Sequence, residues 1–293
     1  MRYRLRHTTR YEYSSAVTLS HNEARLKVRE LPWQHGEHAA FDIEPTATRL
    51  HERHDFFGNH VLYFAIQDVH DAMAVTATSE VVTDATQLPQ FNYTQSWEHA
   101  VQQLRSTALQ HSPDTYEARL FTMNSNYIKR SRDLAAFARR SFTPHRPLTE
   151  ALLDLNARIF HEFTYDPEFS SLATPITEVM ASKRGVCQDF AHLAIGALRS
   201  IGLAARYVSG YLETDPPPGQ TKLIGADASH AWLSVWIPDA GWMDIDPTNG
   251  GVLTERYLTL GWGRDYADVP PLKGVMSGGG NHSLHVEVDV LPI

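Results

Sequence analysis

From Met1 to Tyr13 the odd positions read Met, Tyr, Leu, His, Thr, Tyr and Tyr, while the even positions are mostly arginine. A period of two predicts a strand with one buried face. The alternation returns at Leu26 and Val28 between Arg25, Lys27 and Arg29, then at Leu62, Phe64 and Ile66, and again at Met73, Val75, Ala77 and Val81. Asp55-Phe56-Phe57-Gly58-Asn59 reads as a hairpin turn, with Gly and Asn suited to positive φ. Residues 1–85 are therefore expected to form an antiparallel β domain.

Residues 83–95, with Pro89 and several Asn, Gln and Thr, read as a linker, after which the period lengthens. Trp97, Val101, Leu104 and Ala108 predict a helix behind a Ser96 cap, and Leu134, Phe137 and Ala138 one behind Ser131. Leu152, Leu155, Ile159 and Phe163 predict a longer helix, and Thr174-Pro175 starts a short one that runs to about Lys183. Arg184-Gly185 breaks it. Past Cys187 the apolar positions Phe190, Ala194, Ala197, Leu198 and Ile201 mark one face of another helix, which Gly202 stops. Strands follow at 204–213, 230–237 and 242–246, with a loop at Asp215-Pro216-Pro217-Pro218-Gly219, and His282 to Leu291 alternates as a closing strand. Helices followed by strands indicate an α+β domain over residues 96–293.

The chain has 293 residues, 42% of them hydrophobic, which suits two domains. The net charge is −8 with no block of lysine or arginine, so the footprint of a nucleic-acid binder is missing. The first fifteen residues lack an apolar signal region, and no apolar run reaches the ~18 residues that span a bilayer. A single cysteine permits no intrachain disulfide. These features lead to the expectation of a cytoplasmic protein without nucleic-acid or membrane partners.

Cys187 is that cysteine, and the predicted helix places it in the first turn, where free N–H groups and the helix dipole favour a thiolate. A lone cysteine is also a common small core residue. In the strand from His230, alternation puts His230, Trp232, Ser234 and Trp236 on one face and Ala231, Leu233, Val235 and Ile237 on the core face. A histidine there is either an imidazole base or structural. Asp244 and Asp246 share a strand face, so spacing leaves either one to orient the imidazole or to serve as a turn carboxylate. Trp232, Trp236, Trp242 and Trp262 are cleft walls or core. Together the cysteine, histidine and aspartates match a nucleophile, a base and an orienting carboxylate.

The run Gly-Val-Cys-Gln-Asp-Phe-Ala-His at 185–192, Ala-Arg-Tyr-Val-Ser-Gly-Tyr at 205–211, Ser-His-Ala-Trp at 229–232 and Gly-Trp-Met-Asp-Ile-Asp-Pro-Thr-Asn at 241–249 resembles bacterial transglutaminase-like proteins of the papain-like cysteine class. The β-rich start resembles the N-terminal region that accompanies this core, and Gly-Arg-Asp-Tyr-Ala-Asp-Val at 263–269 its C-terminal signature. The resemblance implies an N-terminal antiparallel β domain followed by a papain-like transglutaminase core, with helices packed on an antiparallel sheet. It implies Cys187 as nucleophile, His230 as general base and acid, and Asp246 as orienter. It also implies a thioester formed from a peptide or glutamine amide, resolved by water or by an amine acyl acceptor, with no cofactor and no metal. Asp189 lies in the first turn of the same helix and reads as a capping group. The backbone N–H of Cys187 suits an oxyanion, and Tyr165 is a candidate second donor.

Other chemistries lack support. His51, His54 and His60 do not share a helix face as metal ligands would, and neither a phosphate-binding G-x-x-x-x-G-K-[ST] loop nor a G-x-S-x-G elbow occurs. The alternative of another class is a binding or assembly module that uses the same fold without turnover.

Overall fold

The computed structural model describes residues 1–106, 113–169, 174–214 and 229–293. The loop expected at 215–219 lies outside the described residues. The N-terminal part contains β1 (Arg2–Ala24), β2 (Gln34–Glu44), β3 (Arg49–His54), β4 (His60–Ile66) and β5 (His70–Thr83). The alternation at the start of the chain is borne out, with Tyr3, Leu5, His7 and Thr9 buried, and β1 runs for 23 residues, the pattern breaking at the exposed residues 14–16. Leu26 and Val28 are buried as expected, but they lie on an extended segment outside any strand. The turn between β3 and β4 has positive φ at Gly58 alone. β2 and β3 carry no clear alternation, and every residue of β3 is exposed.

The helices are α1 (Trp97–Arg105), α2 (Pro113–Leu120), α3 (Arg132–Arg139) and α4 (Leu148–Glu162). Ser131 caps α3 by accepting the Leu134 N–H, whereas Ser96 occupies the cap position of α1 without a side-chain cap bond. The short strand β6 (Thr164–Tyr165), α5 (Ile176–Ser182) and β7 (Arg184–Gly185) lead into α6 (Cys187–Ser200), which ends before Gly202 at φ +94°. Every residue of α6 from Gln188 to Arg199 is buried, so this is a central helix rather than the one-faced helix the spacing predicts. It packs against α3, α4 and α5 on one side and the sheet on the other.

That sheet contains β8 (Ala205–Leu212), β9 (Ser229–Ile237), β10 (Gly241–Asp246), β11 (Gly251–Val252) and β12 (Tyr257–Gly263), in the antiparallel order β11-β10-β9-β8-β12. Ala231, Leu233, Val235 and Ile237 face the helical core. The opposite face of β9 is buried too, with Trp232, Ser234 and Trp236 covered. Tyr211, Leu258 and Leu260 join the core of the N-terminal sheet, so the two sheets pack together. The fold is α+β, as expected.

The chain ends in β13 (Leu272–Gly278) and β14 (His282–Pro292), and both pair with β1. The grouping of residues 96–293 into the core therefore departs from the sheets at this end. Alternation identifies a strand but not its partner, and β14 completes the N-terminal sheet along residues 3–13 of β1.

β12 is an edge strand, and the N-terminal domain closes its open side with two amides. Gln34 donates to Thr259 O at 2.8 Å and accepts the Thr259 N–H at 2.7 Å. Asn59 donates to Trp262 O at 2.8 Å and accepts the Trp262 N–H at 2.9 Å. Each side chain imitates the next strand of a ladder, removing the exposed donors and acceptors that an edge presents.

Candidate active site

Cys187 is the first residue of α6 and is partly buried. The preceding Val186 is extended, and Gly185 closes the parallel ladder of β6 and β7. Asp189 Oδ2 accepts the Val186 N–H at 2.8 Å, which makes it the capping carboxylate expected of that position. A Cβ on Gly185 would lie 2.9 Å from Asp189 Cβ and Oδ2, so glycine is required where the chain turns into the helix. The first helical bond runs from Phe190 N–H to Val186 O, leaving the Cys187 N–H at an unpaired helix start.

His230 is the second residue of β9, and its Nε2–H donates to Asp246 Oδ2 at 2.8 Å. The Cys187 side chain interacts with the same ring and helps to raise the imidazole. With Nε2 on the carboxylate, Nδ1 is the nitrogen left for sulfur. Asp246, at the end of β10, is 1% exposed. Its Oδ2 also accepts from Asn249 Nδ2 at 2.7 Å and from Tyr257 Oη at 2.8 Å, while Oδ1 accepts the N–H groups of Thr248 and Asn249. The three sequence candidates thus come together, although they derive from a helix and two strands.

Burial opposes a positive charge on His230, but the bonds to Asp246 and Cys187 and the charges of both outweigh it and push the imidazole up to about 10. Burial likewise opposes the Asp246 carboxylate. The His230 bond and charge, with Asn249 and Tyr257, overcome it and hold the group below the ordinary carboxylate value. Opposite charges and donors thus stabilise each other's ionised form where His230 and Asp246 are largely buried. A thiol, an imidazole and a carboxylate in this order are what acyl transfer through sulfur requires.

Asp244 serves elsewhere. It accepts from Trp232 Nε1 at 3.2 Å and from Ser234 Oγ, and burial raises it against the opposing charge of Arg206. Two strand positions from Asp246, it anchors the tryptophan under His230. Trp232 and Trp236 are core residues, and Trp242 and Trp262 enclose the Arg206 guanidinium, 4.2 and 3.6 Å from their ring centres. Trp232 and Trp236 are thus not cleft walls, and Trp242 and Trp262 are partly buried. Tyr165 is 54% exposed on β6, and burial with the charge of Cys187 raises its phenol. Among the described residues no group of three or more His, Cys, Asp or Glu could hold a metal ion, and no helix is long and apolar enough to cross a membrane. Asn249 and Tyr257 are the site residues that sequence reasoning misses. Asn249 lies in the motif quoted above, whereas nothing local marks Tyr257.

A central helix with a cysteine at its N-terminus, packed on an antiparallel sheet that supplies histidine and aspartate, defines a papain-like α+β protein of the transglutaminase-like class. Residues 3–82 match the profile of the bacterial transglutaminase-like N-terminal region, and residues 135–247 match the transglutaminase-like superfamily. The chain belongs to the bacterial transglutaminase-like proteins. An uncharacterized protein of Mycobacterium tuberculosis is 41% identical over 301 residues, covering 99% of this chain and 93% of the relative. The protein-glutamine gamma-glutamyltransferase of Pseudomonas aeruginosa is 30% identical over 127 residues, 41% of this chain and 18% of that protein. The crystal structure of a proposed cysteine protease from Cytophaga hutchinsonii shares the fold with a TM-score of 0.74 at 19% identity, over 100% of this chain and 91% of that one.

Proposed function

We propose that this protein is a cysteine-dependent amide hydrolase or acyl transferase acting on a peptide or glutamine amide. The observation that carries the reading is the His230 ring, held by Asp246 at 2.8 Å and raised by its interaction with Cys187 at the start of α6. In this reaction the Cys187 thiolate attacks the amide carbonyl, and the developing oxyanion takes the Cys187 N–H. The His230 imidazolium gives its proton to the departing nitrogen, the C–N bond breaks, and ammonia or an amine leaves a thioester. An acceptor then attacks the thioester while His230 takes the acceptor's proton and the thiolate is released. Water yields the acid; a lysine amine yields a new amide. Hydrolysis is the favoured outcome, since amine transfer requires water to be kept from the thioester.

Incubation with a glutamine peptide and a primary amine, followed by product mass analysis, tests the proposal. Deamidated or cleaved peptide from wild type, absent with Cys187→Ala, supports hydrolysis; the amine adduct supports transamidation. Unmodified peptide from both proteins counts against this substrate class. If Cys187 also alkylates like an ordinary thiol, the non-catalytic module is the better reading.

A further inference from the structure

Tyr257 lies outside the three sequence candidates, yet its hydroxyl stands 2.8 Å from the carboxylate oxygen that holds His230. The terminal torsion of a carboxylate is soft, so its donors decide where that oxygen lies. Thr248 and Asn249 belong to the turn that follows Asp246 and move with it. Apart from His230, Tyr257 is the only donor to Asp246 from another element among the described residues. It comes from β12, the strand that the N-terminal domain clamps through Gln34 and Asn59. The phenol ring is itself fixed, edge-on to Trp232 at 5.3 Å and tilted toward His230 at 6.2 Å.

We propose that Tyr257 is a positioning residue for the Cys187–His230 pair, tying Asp246 Oδ2 to a strand outside the β9–β10 hairpin so that the carboxylate stays in line with the imidazole. The inference rests on the reading of Cys187 and His230 as the reacting pair. Cys187 from α6 and Asp246 from β10 face the imidazole. Tyr257 from β12 faces Asp246 with Arg256 beside it, and Tyr165 from β6 and Tyr207 from β8 face Cys187. Three roles for the phenol have different signs. A hydroxyl that only drew charge from Asp246 would weaken its hold on His230, so removing it would extend the imidazolium to higher pH. A hydroxyl that positions Asp246 acts in the opposite direction, because a carboxylate free to turn away releases the imidazolium at lower pH. A ring that only packs would leave the range unchanged, since phenylalanine keeps the ring.

The test is Tyr257→Phe in the full chain, with the His230 titration followed by NMR and acyl transfer to a primary amine or water measured against pH. The His230 midpoint is expected to fall by about one pH unit or more, the alkaline limit of acyl transfer with it, and kcat about tenfold with KM nearly unchanged. A midpoint that stays or rises overturns the proposal. Gln34→Met loosens β12 without touching the phenol and is expected to shift the midpoint in the same direction, which keeps the test decisive if the phenylalanine variant does not fold; no shift there overturns it equally. NMR reads the imidazole without turnover, so failure of the acyl-transfer reading leaves this result legible. A wild-type His230 that titrates at its ordinary value would overturn the positioning role by itself.

Discussion

His230 Nε2 and Asp246 Oδ2 stand 2.8 Å apart, with both side chains largely screened from water. In that setting the carboxylate does more than align a ring. It stabilises the imidazolium against burial, and the chemistry inherits a wide pH range from it.

The first prediction concerns that range. With His230 pushed up to about 10, the alkaline limb of acyl transfer, which draws a proton from the imidazolium, is expected near that pH. Asp246→Asn removes the charge, leaves burial to dominate, and should move the limb toward or below the ordinary value of 6.5. The rate should fall by roughly 10²- to 10⁴-fold. The same shift contributes to stability. A group whose folded value is raised stabilises the fold fully below its unfolded value and loses that contribution as pH rises through the folded one. The stability advantage of wild type over His230→Ala should therefore be complete below 6.5 and disappear through about 10. Urea unfolding across that window checks it.

Gly185→Ala is expected to disturb the nucleophile without altering any reacting group. The new Cβ would meet Asp189 at 2.9 Å and displace the carboxylate from the Val186 N–H. A loss of about 1–3 kcal/mol is expected, combining overpacking with a lost cap. Asp189→Ala, which loses the cap without adding a clash, should cost at least about 0.5–2 kcal/mol. Alkylation should slow more in the glycine variant, because the added methyl shifts the start of α6. Equal rates would show that the displacement does not reach Cys187.

Tyr165→Phe separates oxyanion binding from nucleophile activation. The phenol lies within the field of Cys187 at an exposed strand edge. If it donates to the oxyanion, acyl transfer should drop by at least about tenfold, since loss of one such donor typically costs more than that. Alkylation, which develops no oxyanion, should be unchanged. An unchanged acyl-transfer rate would remove Tyr165 from this role.

Local chemistry was the legible part of this chain. The Ser131 cap, the helix start at Cys187, the Gly202 stop and the strand at His230 depend on neighbouring residues, and each appears where its pattern indicates. What sequence left open required distant partners. Asp244 and Asp246 are equivalent by strand period; resemblance favours Asp246, and their partners, Trp232 and Ser234 against His230 and Tyr257, are what distinguish them physically. β3 is hidden because an exposed strand has no buried face to produce alternation. The pairing of β14 with β1 joins residues nearly the whole chain apart, which no periodicity records.

The clamp on β12 offers a prediction in which two substitutions cancel in part. Asn59 is fully buried and bonds both backbone groups of Trp262, the Arg29 guanidinium and the Asp55 carboxylate. Asn59→Ala should cost roughly 2–4 kcal/mol, because the partners left behind are buried donors and acceptors. Gly261 sits against the same amide, and a Cβ there would come within 2.5 Å of Asn59 Oδ1 and 2.7 Å of its Cγ. Gly261→Ala in wild type must therefore drive the amide off β12 and lose much of the same bonding. In the Asn59→Ala background the amide is gone and only the residue 59 Cβ, at 3.2 Å, remains close, so the second substitution should add less. The double variant is expected to be more stable than the sum of the single losses implies, by about 1–3 kcal/mol, measurable by urea unfolding of all four proteins. Additive losses would mean that Gly261 is needed for the bend in β12 itself, independent of the amide that covers it.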